Sequence, residues 1–126
     1  MRLTRIHWVL LIVAVLFSGV GMAEEGSVKI LSPAEGAILN AKVDNVVSYE
    51  IVPGPKGDHA HLYLDGKEVA ILRKLKGSYT FAYQAGDQES YNQDTLTPGE
   101  HTICVKVVNK NHTPIGIEKC VKVMVK

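Results

Sequence analysis

Aromatic residues are scarce in this chain, at 6% of 126 residues, with two phenylalanines and one tryptophan. The tryptophan, Trp8, lies in the N-terminal apolar run, so none is left to centre a core further along. Charge of one sign is missing as well. Lysine and arginine total 14 against 13 acidic residues. No basic stripe exists, which argues against a nucleic-acid or anionic-membrane partner. The charged side chains read as a solvated surface. After residue 23 no stretch sustains helical periodicity, and there is no internal repeat or low-complexity segment. Cysteine occurs only at Cys104 and Cys120.

The chain begins with a secretory pattern. Arg2 and Arg5 precede an apolar run from Trp8 to Val20, and Gly21-Met22-Ala23 supplies small residues for a signal peptidase. The run is short for a spanning helix, which needs about 20 residues. The expected division is a signal peptide over 1–23 and a mature domain over 24–126, cleaved after Ala23. The alternative is an uncleaved signal anchor that tethers the chain to the membrane. No cysteine sits near the cleavage point, against a lipoprotein anchor. The address is the periplasm or the exterior, and there is no membrane contact once the signal is removed. The mature chain is one domain, large enough for one core. In such a compartment two cysteines default to a disulfide.

Short alternating segments follow. Residues 27–31 form a strand, 32–36 a turn, and 37–40 a second short piece, as in an edge strand that breaks and resumes. Residues 45–52 place Val47, Tyr49 and Ile51 on one face. Residues 53–58 are a proline- and glycine-punctuated loop with no helix behind it, so it lacks the context of a phosphate cradle. Residues 59–64 alternate strictly, with Ala60, Leu62 and Leu64 on one face and His59, His61 and Tyr63 on the other. Asp65-Gly66 then signals a two-residue hairpin turn. An unbroken register sets Leu62 opposite Val69 and His61 opposite Ala70, with Ile71 buried. Residues 78–84 carry Tyr79, Phe81 and Tyr83 on one face, and 85–94 are a polar loop. Two further strands place Ile103, Val105 and Val107, then Val121, Val123 and Val125, toward the core. Six to eight such strands predict an all-β sandwich.

Two segments resemble bacterial immunoglobulin-like domains: Ile30-Leu31-Ser32-Pro33-Ala34-Glu35-Gly36-Ala37, like their opening, and Leu96-Thr97-Pro98-Gly99-Glu100-His101-Thr102-Ile103, like their E–F corner. Residues 59–66, with Asn111-His112-Thr113-Pro114-Ile115-Gly116, resemble a group of small exported bacterial proteins with immunoglobulin/fibronectin-III-like sandwiches. The resemblance covers most of the mature chain. It implies an immunoglobulin-like antiparallel β-sandwich and supplies no activity.

Cys104 and Cys120 both point off the core on adjacent antiparallel strands. Pairing them sets Lys106 opposite Glu118, an opposite-charge cross-strand pair. The expected disulfide therefore staples the last hairpin and does not join the sheets.

In an immunoglobulin-like sandwich the loop before strand C and the F–G loop share one end. His59 begins strand C, His61 lies one pleat further, and His112 tips the F–G loop, so these three converge as a candidate metal site. His101 belongs at the other end. Imidazoles suit copper, zinc or nickel. A blue-copper site fails, because it needs a free cysteine near a histidine with a methionine close behind. Ser90, His101 and Asp94 are hydrolase residue types, yet Ser90 lies in no nucleophile elbow. Asp87, Glu89 and Asp94 lack calcium-loop spacing. Asn111-His112-Thr113 is formally a glycosylation acceptor, relevant only in a eukaryotic secretory route.

The first expectation for function is a non-enzymatic binding module of the periplasm or envelope, with a protein or ligand partner of that compartment. The second is a small copper- or zinc-binding protein that uses surface histidines.

Overall fold

The computed structural model describes residues 25–85 and 95–126. The signal peptide, its cleavage after Ala23, and the polar loop with Asp87, Glu89, Ser90 and Asp94 lie outside the described residues. Eight strands are present among those described: β1 (Ser27–Ser32), β2 (Ile38–Leu39), β3 (Asn45–Val52), β4 (His59–Leu64), β5 (Lys67–Leu72), β6 (Lys76–Phe81), β7 (Gly99–Val108) and β8 (Pro114–Val125). They form two sheets. One has the order β1-β3-β6, and the other β2-β8-β7-β4-β5. The edge strand does break and resume, and it changes sheet as it does so. β1 pairs antiparallel with β3, whereas β2 pairs parallel with β8. The intervening turn is tied to β8 by Gly36 N–H donating to the Lys122 carbonyl at 2.7 Å.

The core lies between the sheets. Val47, Tyr49 and Ile51 of β3 face Ala60, Leu62 and Leu64 of β4, with Ile103, Val105 and Val107 of β7 and Val121, Val123 and Val125 of β8 in the same cluster. Period-two alternation places each of them inward. Full burial of a side chain such as Leu62 or Ile103 is worth about 1.5–3 kcal/mol. Phe81 and Leu96 close the core, and Tyr79 packs edge-on against Phe81. β6 differs from expectation at both ends. It starts at Lys76 and stops at Phe81, and exposed Tyr83 lies past it.

Asp65 and Gly66 make the β4–β5 turn with φ of 52° and 83°. Positive φ at both positions is the signature of the hairpin turn whose twist matches the strands, and glycine takes it without strain. The turn pairs Leu64 with Lys67 and Tyr63 with Glu68, as the sequence predicts. A bulge follows. Leu62 faces Ala70, and His61 faces Ile71 rather than Ala70. Ile71 therefore leaves the core and is exposed, and Leu72 is buried in its stead. An extra residue in one strand shifts every later side chain to the other face. The space beside His61 is thus not opened by an alanine.

Cys104 and Cys120 are disulfide-bonded across β7 and β8, with Cα atoms 4.0 Å apart. Lys106 pairs with Glu118 in register, and their charges are 3.6 Å apart.

Candidate metal centre

β4 presents His59, His61 and Tyr63 on the face of the larger sheet that points away from the core. Loop geometry sets where this strand begins. A side chain at Gly57 would collide with the Pro53 carbonyl and Val107. Glycine thus lets the loop press against β7, and Asp58 N–H donates to the Val108 carbonyl at 2.8 Å. β4 then pairs with β7, setting His59 opposite Val108 and His61 opposite Lys106.

His112 arrives from the β7–β8 connection. Asn109 and Thr113 close that loop through backbone hydrogen bonds, and His112 N–H donates to the Asn109 carbonyl at 3.0 Å. The Asn109 side-chain oxygen accepts from Asn111 and Thr113 N–H at 2.9 and 3.0 Å. His112 itself holds φ of 63°, a conformation uncommon for a residue with a side chain.

The three rings meet. His59 Nε2 and His61 Nε2 are 3.1 Å apart, His61 Nε2 and His112 Nδ1 3.0 Å, and His59 Nε2 and His112 Nδ1 3.3 Å. These three residues are the histidine, cysteine or carboxylate group with convergent ligand atoms among the described residues. The cluster departs from expectation in burial. His59 and His61 are 4% and 2% exposed, so two of the three are not surface histidines. His112 is exposed and packs edge-on against His59 with ring centroids 4.6 Å apart. Val108, opposite His59, is fully buried yet outside the main core cluster, in keeping with a covered outer face.

Outer groups orient the rings. His59 Nδ1–H donates to Asp58 Oδ2 at 2.8 Å, which in the neutral ring puts the lone pair on Nε2. Glu68 Oε2 stands 3.3 Å from His61 Nδ1. That nitrogen is buried and makes no well-aligned hydrogen bond, so the carboxylate acts on it by charge at short range. Burial lowers the His61 pKa from the usual 6.5. Glu68 opposes that shift, while His59 and His112 add to it. Neutral imidazole is the metal-ligating form.

Three nitrogens this close do not satisfy one another. A single proton among them still leaves a pair of lone pairs facing each other, at a buried site where an unpaired polar atom is costly. A shared cation satisfies all three. An ion with metal–nitrogen bonds of about 2.0 Å spaces tetrahedral ligands about 3.3 Å apart, close to the separations here.

Sequence reasoning named the three histidines and missed Asp58 and Glu68. The signal for Glu68 was present, since the hairpin turn alone pairs it with Tyr63, diagonal to His61 on the same face. His101 lies at the other end of the sandwich, as expected. Its Nδ1 faces Asp65 Oδ2, and its Nε2 faces the Thr97 carbonyl at 2.6 Å. That clamp ties the turn before β7 to the β4–β5 turn, which Asp65 Oδ1 reinforces by accepting from Thr102 N–H.

No family model and no curated protein matches the chain. Among solved structures, it is similar to the fibronectin(III)-like modules of CbhA from Clostridium thermocellum, with a TM-score of 0.59, 15% identity, and coverage of 81% of this chain and 47% of that one. A lytic polysaccharide monooxygenase from Jonesia denitrificans aligns at a TM-score of 0.44 and 17% identity, over 75% of this chain and 61% of that one. At such identities the likeness concerns fold alone, and the second is too distant to carry an argument. The sheet orders and the first likeness agree: the described chain is an all-β sandwich of the immunoglobulin/fibronectin(III)-like type.

Proposed function

We propose that this chain is an exported, non-enzymatic binding module of the periplasm or cell envelope whose ligand is a transition-metal ion held by His59, His61 and His112. One observation carries the reading: three ring nitrogens from two separate segments lie within 3.3 Å of one another. Two imidazoles arrive on a rigid strand and the third on a turn that a side-chain hydrogen-bond network shapes. The outer nitrogens of His59 and His61 face carboxylates, the arrangement that fixes ring orientation and raises ligand basicity around bound metals. The donor set is all nitrogen, because the cysteines are paired. Nitrogen donors favour Cu(II), Zn(II) and Ni(II), and the general order of divalent affinities puts Cu(II) first. The absence of a thiolate ligand disfavours the blue-copper type.

Calorimetric titration with Cu(II) and Zn(II) at neutral pH tests this. One ion per chain is expected. His61→Ala and His112→Ala each weaken binding strongly, and His101→Ala leaves it intact. Affinity falls with pH as protons compete for the ring nitrogens, and at His61 that competition sets in at lower pH than for a free imidazole, because burial lowers its pKa. Equal losses at His61, His112 and His101 would return the histidines to ordinary packing roles and leave a binding module for a protein or other ligand.

A further inference from the structure

We propose that Asp58 and Glu68 are the specificity-determining residues of this site, and that they set it for a divalent over a monovalent ion. The inference rests on reading the three histidines as metal ligands. Imidazole donors bias the choice of ion by donor type but, being neutral when they ligate, add no charge of their own. The charge comes from behind them. Asp58 Oδ2 lies 2.8 Å from the outer nitrogen of His59, and Glu68 Oε2 lies 3.3 Å from that of His61. These carboxylates come from different segments, one from the loop before β4 and one from β5, yet each addresses a different ligand.

Among the described residues neither carboxylate forms an ion pair with a lysine or arginine. Lys106 faces His61 in register, but its ammonium is drawn aside, 4.6 Å over the Tyr63 ring and 3.6 Å from Glu118. Two negative charges therefore stand one ring away from the point where the three nitrogens converge. A dication brings the assembly to neutrality, whereas a monocation leaves it negative. The ring nitrogens of His59 and His61 are buried, while the carboxylates behind them, with side chains 42% and 45% exposed, are partly screened by water, which reduces this difference without removing it.

The experiment uses the copper-loaded chain and its Cu(II)/Cu(I) potential. By a thermodynamic cycle, the potential reads the ratio of affinities for the two charges of one element. Asp58→Asn and Glu68→Gln keep side-chain shape and remove charge. Loss of such an outer partner typically costs 10–100-fold in metal affinity. Each substitution is expected to weaken Cu(II) more than Cu(I), and every tenfold difference between the two raises the potential by about 59 mV in a one-electron couple. Glu118→Gln removes an equal charge on β8 away from any ring nitrogen, and its shift should be much smaller. Circular dichroism of each variant checks folding, and either variant that folds decides the matter. An unchanged potential, or an equal rise in Glu118→Gln, overturns the proposal. A wild-type chain that takes up neither Cu(II) nor Zn(II) overturns the histidine reading itself, and that titration is read before any variant.

Discussion

His61 joins the core's burial to the site's chemistry. It is among the largest fully buried side chains, yet it lies on the sheet face opposite the core. Its pKa is lowered, first by burial. The sign for stability follows. The unfolded chain takes up a proton at His61 near pH 6.5, and the folded chain resists it until lower pH. Between those two pKa values the unfolded state binds more protons, so stability falls as pH drops below about 6.5. Thermal unfolding of metal-free protein between pH 7.5 and 5 should show this loss, and His61→Gln should flatten its upper part. An unchanged profile in the variant would assign the slope to other groups. Tyr63, beside His61 on β4, has its pKa raised, chiefly by burial and further by Glu68 and Glu118, so its phenol stays protonated at neutral pH.

The β7–β8 turn is the element that completes the cluster. Asn109 shapes it through its side-chain oxygen, and His112 occupies it in a left-handed conformation. Such strain in a residue with a side chain costs about 1–3 kcal/mol and persists where the surroundings demand it. Asn109→Ala should lower stability by about 1–2 kcal/mol through its two lost hydrogen bonds, and weaken metal uptake because His112 is no longer held. His112→Gly should behave differently. Relief of strain offsets the entropy cost of glycine, about 0.5–1 kcal/mol, so metal-free stability is kept while metal binding is lost. Denaturant midpoints with and without Zn(II) separate the two outcomes. Further along the same hairpin, the disulfide closes a separation of 16 residues. Replacing both cysteines by serine should lower stability by about 3 kcal/mol on the chain-entropy estimate. Far-ultraviolet circular dichroism should still report the sandwich, because the valine-rich core does not depend on that bond.

Across the whole molecule the two ends of the larger sheet do different work. One end gathers His59, His61 and His112. The other is clamped by His101, Asp65 and Thr97. Metal binds only the folded arrangement, since the unfolded chain has no preformed site. Ligand at 100 times its dissociation constant adds about 2.7 kcal/mol of stability. Excess Zn(II) should therefore raise the melting temperature of the wild type and leave that of His61→Ala unmoved. His101→Ala should do the reverse, lowering the melting temperature of metal-free protein while keeping the metal-dependent rise. Loss of both effects in His101→Ala would mean that the two ends are not independent.

The sequence alone determined what local pattern controls. Alternation placed Val47, Leu62, Val105 and Val123 inward, because successive strand residues face opposite sides whatever the tertiary context. Asp65-Gly66 located the hairpin, and the shared outer face of Cys104 and Cys120, with Lys106 opposite Glu118, located the disulfide and its register. The end of the sandwich that gathers the histidines was also legible, since topology alone assigns loops to ends. Tertiary structure decided the rest. The bulge that sends Ile71 outward is a local loss of pairing that no alternation pattern announces. The third ring comes from a turn about fifty residues away in the chain, where left-handed His112 meets the buried His59 and His61. Convergence of three nitrogens to within 3.3 Å, and of two carboxylates behind them, is a distance. Residue spacing sets which face and which end a side chain occupies, and only the packed backbone sets how near it comes to another.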